Sequence, residues 1–218
     1  MSRKQAGVNK EKSRKKILDA ATALFGRRGY SATTVESVTR AAGLSRGSLY
    51  WHFKSKSDLL GAVVERLEKE YLDKLSQEVA AAGPRAIDQL WHVFKFNARF
   101  AVDNTELIHC LRALSLELSP SEDLQAKSFN RLLERQQGLL VRLIQEAQAQ
   151  GDARTDLKAD LLALVILGVH DGVLLQWARR REAVDGRELA WTFRQVTLAG
   201  LDPGAPIIKP GPKPQRTG

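Results

Sequence analysis

Between Thr33 and Lys56 the chain reads TTVESVTRAAGLSRGSLYWHFKSK. Arg46, Ser48, Tyr50, His52, Lys54 and Lys56 can all donate hydrogen bonds, and no carboxylate stands between Glu36 and Asp58. Such a face suits phosphate oxygens and the acceptor atoms of base edges. A merely solvated face would mix charge signs. Elsewhere the chain offers no rival chemistry. His52, His92, His109, His170 and Cys110 are scattered without metal-ligand spacing. There is no phosphate-binding loop, dinucleotide fingerprint or nucleophile elbow. The expectation is a protein that binds rather than catalyses, with no cofactor and no metal. His170 and Asp171 could form a pKa-tuned pair, although a satisfied polar spot near an interface is the simpler reading.

Short helices must hold these donors. Thr33-x-x-Glu36 has the form of a capping box, and Val35, Val38 and Ala42 follow at helical spacing. Gly43 stands where that helix must stop, since glycine takes the left-handed conformation freely. Ser45 is a good N-cap for a second helix, with Leu44 placed to staple onto Leu49. Leu49 and Phe53 then form its buried stripe. Arg46, Gly47, Ser48, Tyr50, Trp51 and His52 are left on its other faces. A helix of this length is unstable alone. It suits presentation to a partner while its neighbours hold it. Helix, glycine turn and helix is the plan in which the second helix enters the DNA major groove. Spacing alone equally admits an ordinary packed pair; the side chains favour DNA.

Charge distribution supports that choice. The net charge of the 218 residues is +9. Residues 1–56 hold 13 Lys and Arg against three Asp and Glu, a charge of +10, and residues 57–218 sum to −1. A generally basic protein would spread the excess; a protein that displaces phosphate counterions with one end would concentrate it there. A hydrophobic share of 43% and a charged share of 27% are those of a globular chain. A single cysteine excludes an internal disulfide and fits a reducing compartment. The basic N-terminus lacks the apolar run of a signal peptide. The most apolar stretch, residues 161–169, is about half a membrane span. A soluble, cytoplasmic protein is expected, with no membrane partner.

The pattern predicts about nine helices and no strands. Residues 1–10 read as a flexible basic arm. A first helix from Lys12 to Arg28 carries Ile17, Ala20, Ala21, Leu24 and Phe25 on one side. Ser55-x-x-Asp58 caps a helix of roughly 56–81. Further helices are expected over 84–104, 106–118, 121–150 (opened by Ser119-Pro120), 156–181 and 185–201. Residues 202–218 hold five of the seven prolines and read as a disordered tail. The division is therefore a DNA-binding head at 1–56, a helical regulatory and dimerisation domain at 57–201, and the tail.

The run from Gly43 to Lys56 (GLSRGSLYWHFKSK) closely resembles the signature of the TetR family of bacterial transcriptional regulators. In wording it is nearest to that family's repressors of multidrug efflux pumps. The likeness is specific over about Ile17–Val64; beyond it the family shares architecture more than sequence. The resemblance implies an all-α, homodimeric repressor of a palindromic operator on double-stranded DNA, released by a small effector. It assigns Arg46, Gly47 and Ser48 to base edges. Tyr50, His52, Lys56 and the hydroxyls of Thr33 and Thr34 would hold phosphates, and Trp51 would pack on the backbone or a thymine methyl. Ser45 and Lys54 complete the candidate surface.

The family's effector cavity lies between the linking helix and the three that follow. This makes Trp91, Phe94, Asn97, Phe100, His109, Cys110 and Arg112 candidate lining residues, although four aromatics within ten residues equally suit plain core. An apolar ligand is the expectation, or a cationic one if Asp103, Glu106 or Asp171 faces inward. The family dimerises through its last two helices, which here points to Leu161, Val165, Gly168, Gly172, Leu175 and Phe193; internal core is the alternative. A non-specific or architectural DNA-binding protein, or an activator of the same fold, remains open at this stage.

Overall fold

Cap chemistry sets the helix boundaries. Ser45 Oγ accepts from the Ser48 amide at 3.2 Å and opens α3 (Arg46–His52). Gly43, at φ 65°, closes α2 (Val35–Ala42) with its amide on the carbonyls of Arg40 and Thr39. Ser55 Oγ accepts from Asp58 N at 3.0 Å and opens α4 (Lys56–Leu67). The computed structural model describes residues 3–118, 124–180 and 182–206. The proposed start at Ser119-Pro120 and the tail from residue 207 lie outside them.

The box ahead of α2 sits one residue later than expected. Thr34, not Thr33, is the N-cap, and Ser37 reciprocates in place of Glu36. Thr33 points inward instead, its hydroxyl donating to the Gly29 carbonyl at 2.7 Å. The first helix also differs. α1 runs Arg3–Arg28, so most of the segment read as a flexible arm is helical. Lysine, arginine, glutamine and glutamate are good helix formers, and Gly7 alone does not break the run.

Among the described residues there are no strands. α4 continues through a π-helical turn (Glu68–Asp73) into α5 (Lys74–Ala80), forming one rod. α6 (Ala86–Asp103), α7 (Thr105–Glu117), α8 (described from Leu124 to Gln150), α9 (Ala159–Arg179) and α10 (Gly186–Leu201) follow. Counting the rod once gives nine helices, the all-α architecture expected. The π turn has no signature in the sequence; such turns add one residue to a helical cycle and re-aim the side chains after it. Here the turn buries Tyr71 and Leu72.

One apolar core runs through the molecule. In the head it gathers Ile17, Phe25, Leu49 and Phe53; along the rod, Leu60, Val63, Leu67 and Leu75; in the body, Leu90, Phe129 and Leu143. α8 packs on α4, α6 and α9, and α10 on α6 and α9. The head is not tethered by the rod alone, because α1 lies along α7 in the most extensive helix pairing of the structure. The crossing is tight at Gly26: a β-carbon there would lie 2.9 Å from the Cys110 amide nitrogen. Arg27 bonds Glu106 at 3.1 Å. At the far end of α7 the Glu117 carboxylate accepts from the amides of Tyr30 and Ser31, each at 2.6 Å.

Candidate nucleic-acid interface and effector cavity

α3 is held by two apolar anchors, Leu49 and Phe53, both buried in the head core. Its other faces are open. Arg46, Gly47, Tyr50 and Trp51 are exposed and Ser48 partly so. Trp51 is 63% exposed, a large aromatic that burial within the chain does not explain. Gly47 is equally telling. A β-carbon there would meet only Ser45 Oγ, at an ordinary 3.8 Å, so nothing inside the chain demands a glycine.

Arg46, placed at the start of α3, reaches Glu36 of α2 at 2.9 Å and lies 5.7 Å from the Tyr50 ring centre. Both partners are on the surface, where water and salt screen an ion pair, so the guanidinium can be given up to a stronger acceptor. The Glu36 carboxyl is held below its usual range by its own backbone hydrogen bond and by Arg46. Although Ser37 takes the place expected of Glu36 in the box, Glu36 still bonds the Thr34 side chain while it pairs with Arg46.

Thr34, Ser45 and Lys54 are exposed beside α3, as expected of a polar rim. Two of the expected contacts are placed differently. Thr33 is buried and bonded to Gly29, out of reach of a phosphate. Lys56 turns back on the loop after α1, donating to the Ser31 carbonyl at 3.2 Å with its ammonium 4.3 Å from the Tyr30 ring. Burial lowers its pKa, with Glu117 opposing. His52 is half-buried, with Nε2 2.7 Å from Ser13 Oγ. Burial, with Lys10 and Arg14 nearby, lowers the pKa of the ring.

Those two cations are residues the sequence reading did not single out. Lys10 Nζ sits 4.4 Å over the Trp51 ring, and Arg14 lies 5.4 Å from that of Phe53. α1 thus sets a basic flank against the C-terminal end of α3. Only the fold brings residues some 40 positions apart together, so no local pattern announces this.

A cavity of about 180 Å³ lies in the body between the π turn, α7, α8 and α9. Arg112, Ile108 and Leu111 of α7, Tyr71 of the π turn, and His170 and Asp171 of α9 contribute to its wall. A smaller apolar space between α6, α9 and α10 shares His170 and Leu174 with it and is lined by Phe94, Trp177 and Phe193. Of the expected lining residues, Arg112 and Phe94 meet these spaces. Asn97 stands one bond behind, accepting from the Tyr71 hydroxyl at 2.8 Å; Gln136 donates to that hydroxyl at 2.7 Å.

The others face elsewhere. Trp91 is on the outside under Lys95 and Arg194. Phe100 is core, stacked on Phe96 at 5.3 Å. His109 and Cys110 sit where α7 crosses α1 at Gly26, and burial pushes the Cys110 thiol up to about 12. Asp103 and Glu106 are exposed, which leaves Asp171 as the acid at the cavity.

Burial, with Arg112 adding to it, pushes the His170 pKa down to about 4 from an ordinary 6.5. Because the folded value is the lower, the unfolded chain takes up the proton first. His170 therefore contributes stability in full above about pH 6.5, and that contribution is lost as pH falls towards about 4. The melting temperature is expected to decline through that window, and His170→Gln to flatten the decline. Equal slopes in the two proteins would remove His170 as its source.

On α9 the residues Leu161, Leu164, Val165, Val169 and Leu175 are each more than 40% exposed. Gly168 and Gly172 share that side, with open space where their β-carbons would be. Trp191 and Val196 of α10 are exposed as well. Phe193, expected on the same face, turns inward: its ring is 5.6 Å from Phe94 and 5.7 Å from His170. α9 is the helix among those described that is long and apolar enough to cross a membrane, yet its inner edge, Ala163 and Ile166, is buried in the protein core.

Known proteins share this arrangement of a short exposed helix on a helical body. Residues 17–63 match the domain described as bacterial regulatory proteins, tetR family. The transcriptional repressor DhaR of Mycobacterium sp. (strain GP1) is 29% identical over 175 residues, covering 79% of this chain and 86% of its own. The regulator AcrR of Shigella flexneri is 40% identical over 74 residues, 34% of each chain. The crystal structure of the MbdR regulator from Azoarcus sp. CIB superimposes with a TM-score of 0.77 at 31% identity, covering 90% of this chain and all of that one. Likeness in the head sequence and likeness along the whole body coincide in one chain, which therefore belongs to the TetR family of bacterial transcriptional regulators.

Proposed function

We propose that the protein is a ligand-responsive transcriptional repressor that binds a palindromic operator as a homodimer. The observation that carries this reading is the face of α3: Arg46, Gly47, Ser48, Tyr50 and Trp51 face outward at the strongly basic end of the chain. Arg46 reads a guanine through O6 and N7, and Gly47 lets the helix N-terminus come close to the base edges. Thr34, Tyr50, His52 and Lys54 hold phosphates, with Lys10 and Arg14 flanking. Two copies joined through the outer faces of α9 and α10 present two heads on a two-fold axis, and a palindromic site follows from that symmetry.

α7 connects the two ends. One side of it lines the cavity with Leu111 and Arg112; the other holds α1 through Gly26, Arg27 and the Glu117 bonds. An effector that fills the cavity better in one setting of α7 than in the other shifts the head with it. Equal affinity for both settings would shift nothing. The rod from Lys56 supplies a second connection between the same two ends.

The test is a footprint and titration of Arg46→Ala on operator and on unrelated DNA. Discrimination for the operator is expected to fall by about 10- to 100-fold, corresponding to ~1–3 kcal/mol for a lost bidentate base contact, with binding to unrelated DNA little changed. Equal weakening on all sequences would make Arg46 a phosphate contact and remove its reading role.

A further inference from the structure

We propose that the cavity takes an amphipathic organic anion, a carboxylate on an apolar body, with Arg112 as the residue that binds the carboxylate. The inference deepens the reading of this cavity as the effector site. It stands on the pairing of the charged groups around it. Among the described residues the Arg112 guanidinium has neither hydrogen bond nor ion pair, although it is half-buried and lines the cavity. A half-buried guanidinium with no bonded partner keeps its donors for a ligand, and a carboxylate can take two of them at once.

The neighbouring groups do not supply such a partner. His170 is uncharged at neutral pH. The Asp171 side chain is 64% exposed and lies 3.9 Å from His170 Nδ1; Arg112 acts on it from a distance, opposing the rise in pKa that burial causes, with no ion pair between the two among the described residues. Tyr71 is committed on both sides, donating to Asn97 and accepting from Gln136. Ser115 donates to the Arg112 carbonyl, which fixes the backbone and leaves the guanidinium alone. Of the two charged residues that line the space, Asp171 is largely exposed to solvent, and Arg112 is the half-buried one.

The walls account for the rest of the ligand. Ile108, Leu111, Leu133 and Leu167 surround the polar end. His170 and Leu174 also line the neighbouring apolar space between Phe94, Trp177 and Phe193. A head at Arg112 and a hydrocarbon body running towards those rings would use both parts.

Three eight-carbon probes separate the possibilities: octanoate, octanol and octylammonium, titrated calorimetrically into the full-length protein at neutral pH without DNA. Octanoate is expected to bind tightest and octylammonium weakest. Arg112→Gln is expected to weaken octanoate by about tenfold or more, the loss of a hydrogen-bonded charge contact, and to leave octanol unchanged; Arg112→Lys should restore part of the affinity. No saturable octanoate binding, an octanoate affinity that survives Arg112→Gln, or a preference for octylammonium that Asp171→Asn removes would each overturn the proposal. If Arg112→Gln proves unstable, the order of the three probes on the unmodified protein decides the matter. Because no DNA is present, this result is independent of the repressor reading, which operator release by octanoate tests separately.

Discussion

Val165→Asp is expected to dissociate the proposed homodimer while leaving each protomer folded. Val165 stands in the middle of the exposed stripe of α9 and is 61% exposed in the protomer, so an aspartate there is solvated as long as the protein is alone. In a two-fold interface the same substitution occurs twice, face to face, in an apolar contact. Leaving a charge buried without a partner costs about 3–5 kcal/mol, and two like charges add repulsion. The dimer dissociation constant is expected to rise by ~1,000-fold or more. Sedimentation at micromolar concentration would show a monomer with unchanged helical circular dichroism, and operator binding would fall because one head holds only a half-site. A dimer that persists would place the interface elsewhere and leave the apolar face of α9 without its proposed partner.

Gly26→Ala is expected to destabilise the protein, against the ordinary trend. Replacing glycine by alanine inside a helix normally gains up to about 1 kcal/mol. At Gly26 the added carbon would lie 2.9 Å from the Cys110 amide nitrogen and 3.1 Å from both the carbonyl carbon and the β-carbon of His109. Two of those three atoms are backbone, so α7 must move away from α1 rather than a side chain rotate. Overpacking of this kind costs about 1–3 kcal/mol, which for a chain of this size lowers the melting temperature by roughly 2–12 °C. Gly138 of α8 is the internal control, since nothing lies within 4 Å of the position its β-carbon would take. Gly138→Ala should raise the melting temperature slightly. If both substitutions stabilise, α1 and α7 are not in close contact in solution, and α7 loses its role in carrying a signal to the head.

The helical plan was legible because its signals are local. Ser45, Gly43 and Ser55 act within three or four residues of where they stand, and each does what the spacing implies. The capping box ahead of α2 sits one residue later than expected because Thr33 and Thr34 are chemically alike, and both Glu36 and Ser37 can accept from an N-cap amide. The choice between them is made by Gly29, whose carbonyl takes the Thr33 hydroxyl.

Which face of a helix points where was harder to read. α6 and α7 carry apolar residues on several sides, so the cavity's place in the resembled family does not say which side of each helix faces it, and Trp91 and Cys110 stood beside Arg112 as candidates. Trp91 faces solvent, and Cys110 faces α1 because Gly26, some 80 positions earlier, lets α7 come close there. Sequence spacing carries no record of such a contact. The turn that brings Tyr71 to the cavity wall was invisible for a related reason: a π turn differs from an α turn in its hydrogen-bond partner, not in its residue types.

The grip of Glu117 on the head bears on how such proteins can diversify. Two of its donors are main-chain amides, those of Tyr30 and Ser31, and every residue except proline has one; the Ser31 side chain adds a third. The two main-chain bonds ask nothing of the side chains of Tyr30 and Ser31, whereas Gly29 is fixed, because a β-carbon there would lie 2.8 Å from Glu117 Oε2. The DNA-reading half can change its sequence, and with it the operator, while one carboxylate at the end of α7 continues to fit. The body can likewise be refitted to a new effector without renegotiating its hold on the head. A chimera that grafts residues 1–56 of a relative onto this body keeps both hydrogen bonds, provided the grafted loop has the same backbone course. Reading and sensing are in this respect interchangeable parts, provided that the head keeps the two glycines, Gly26 and Gly29, that let α7 come close.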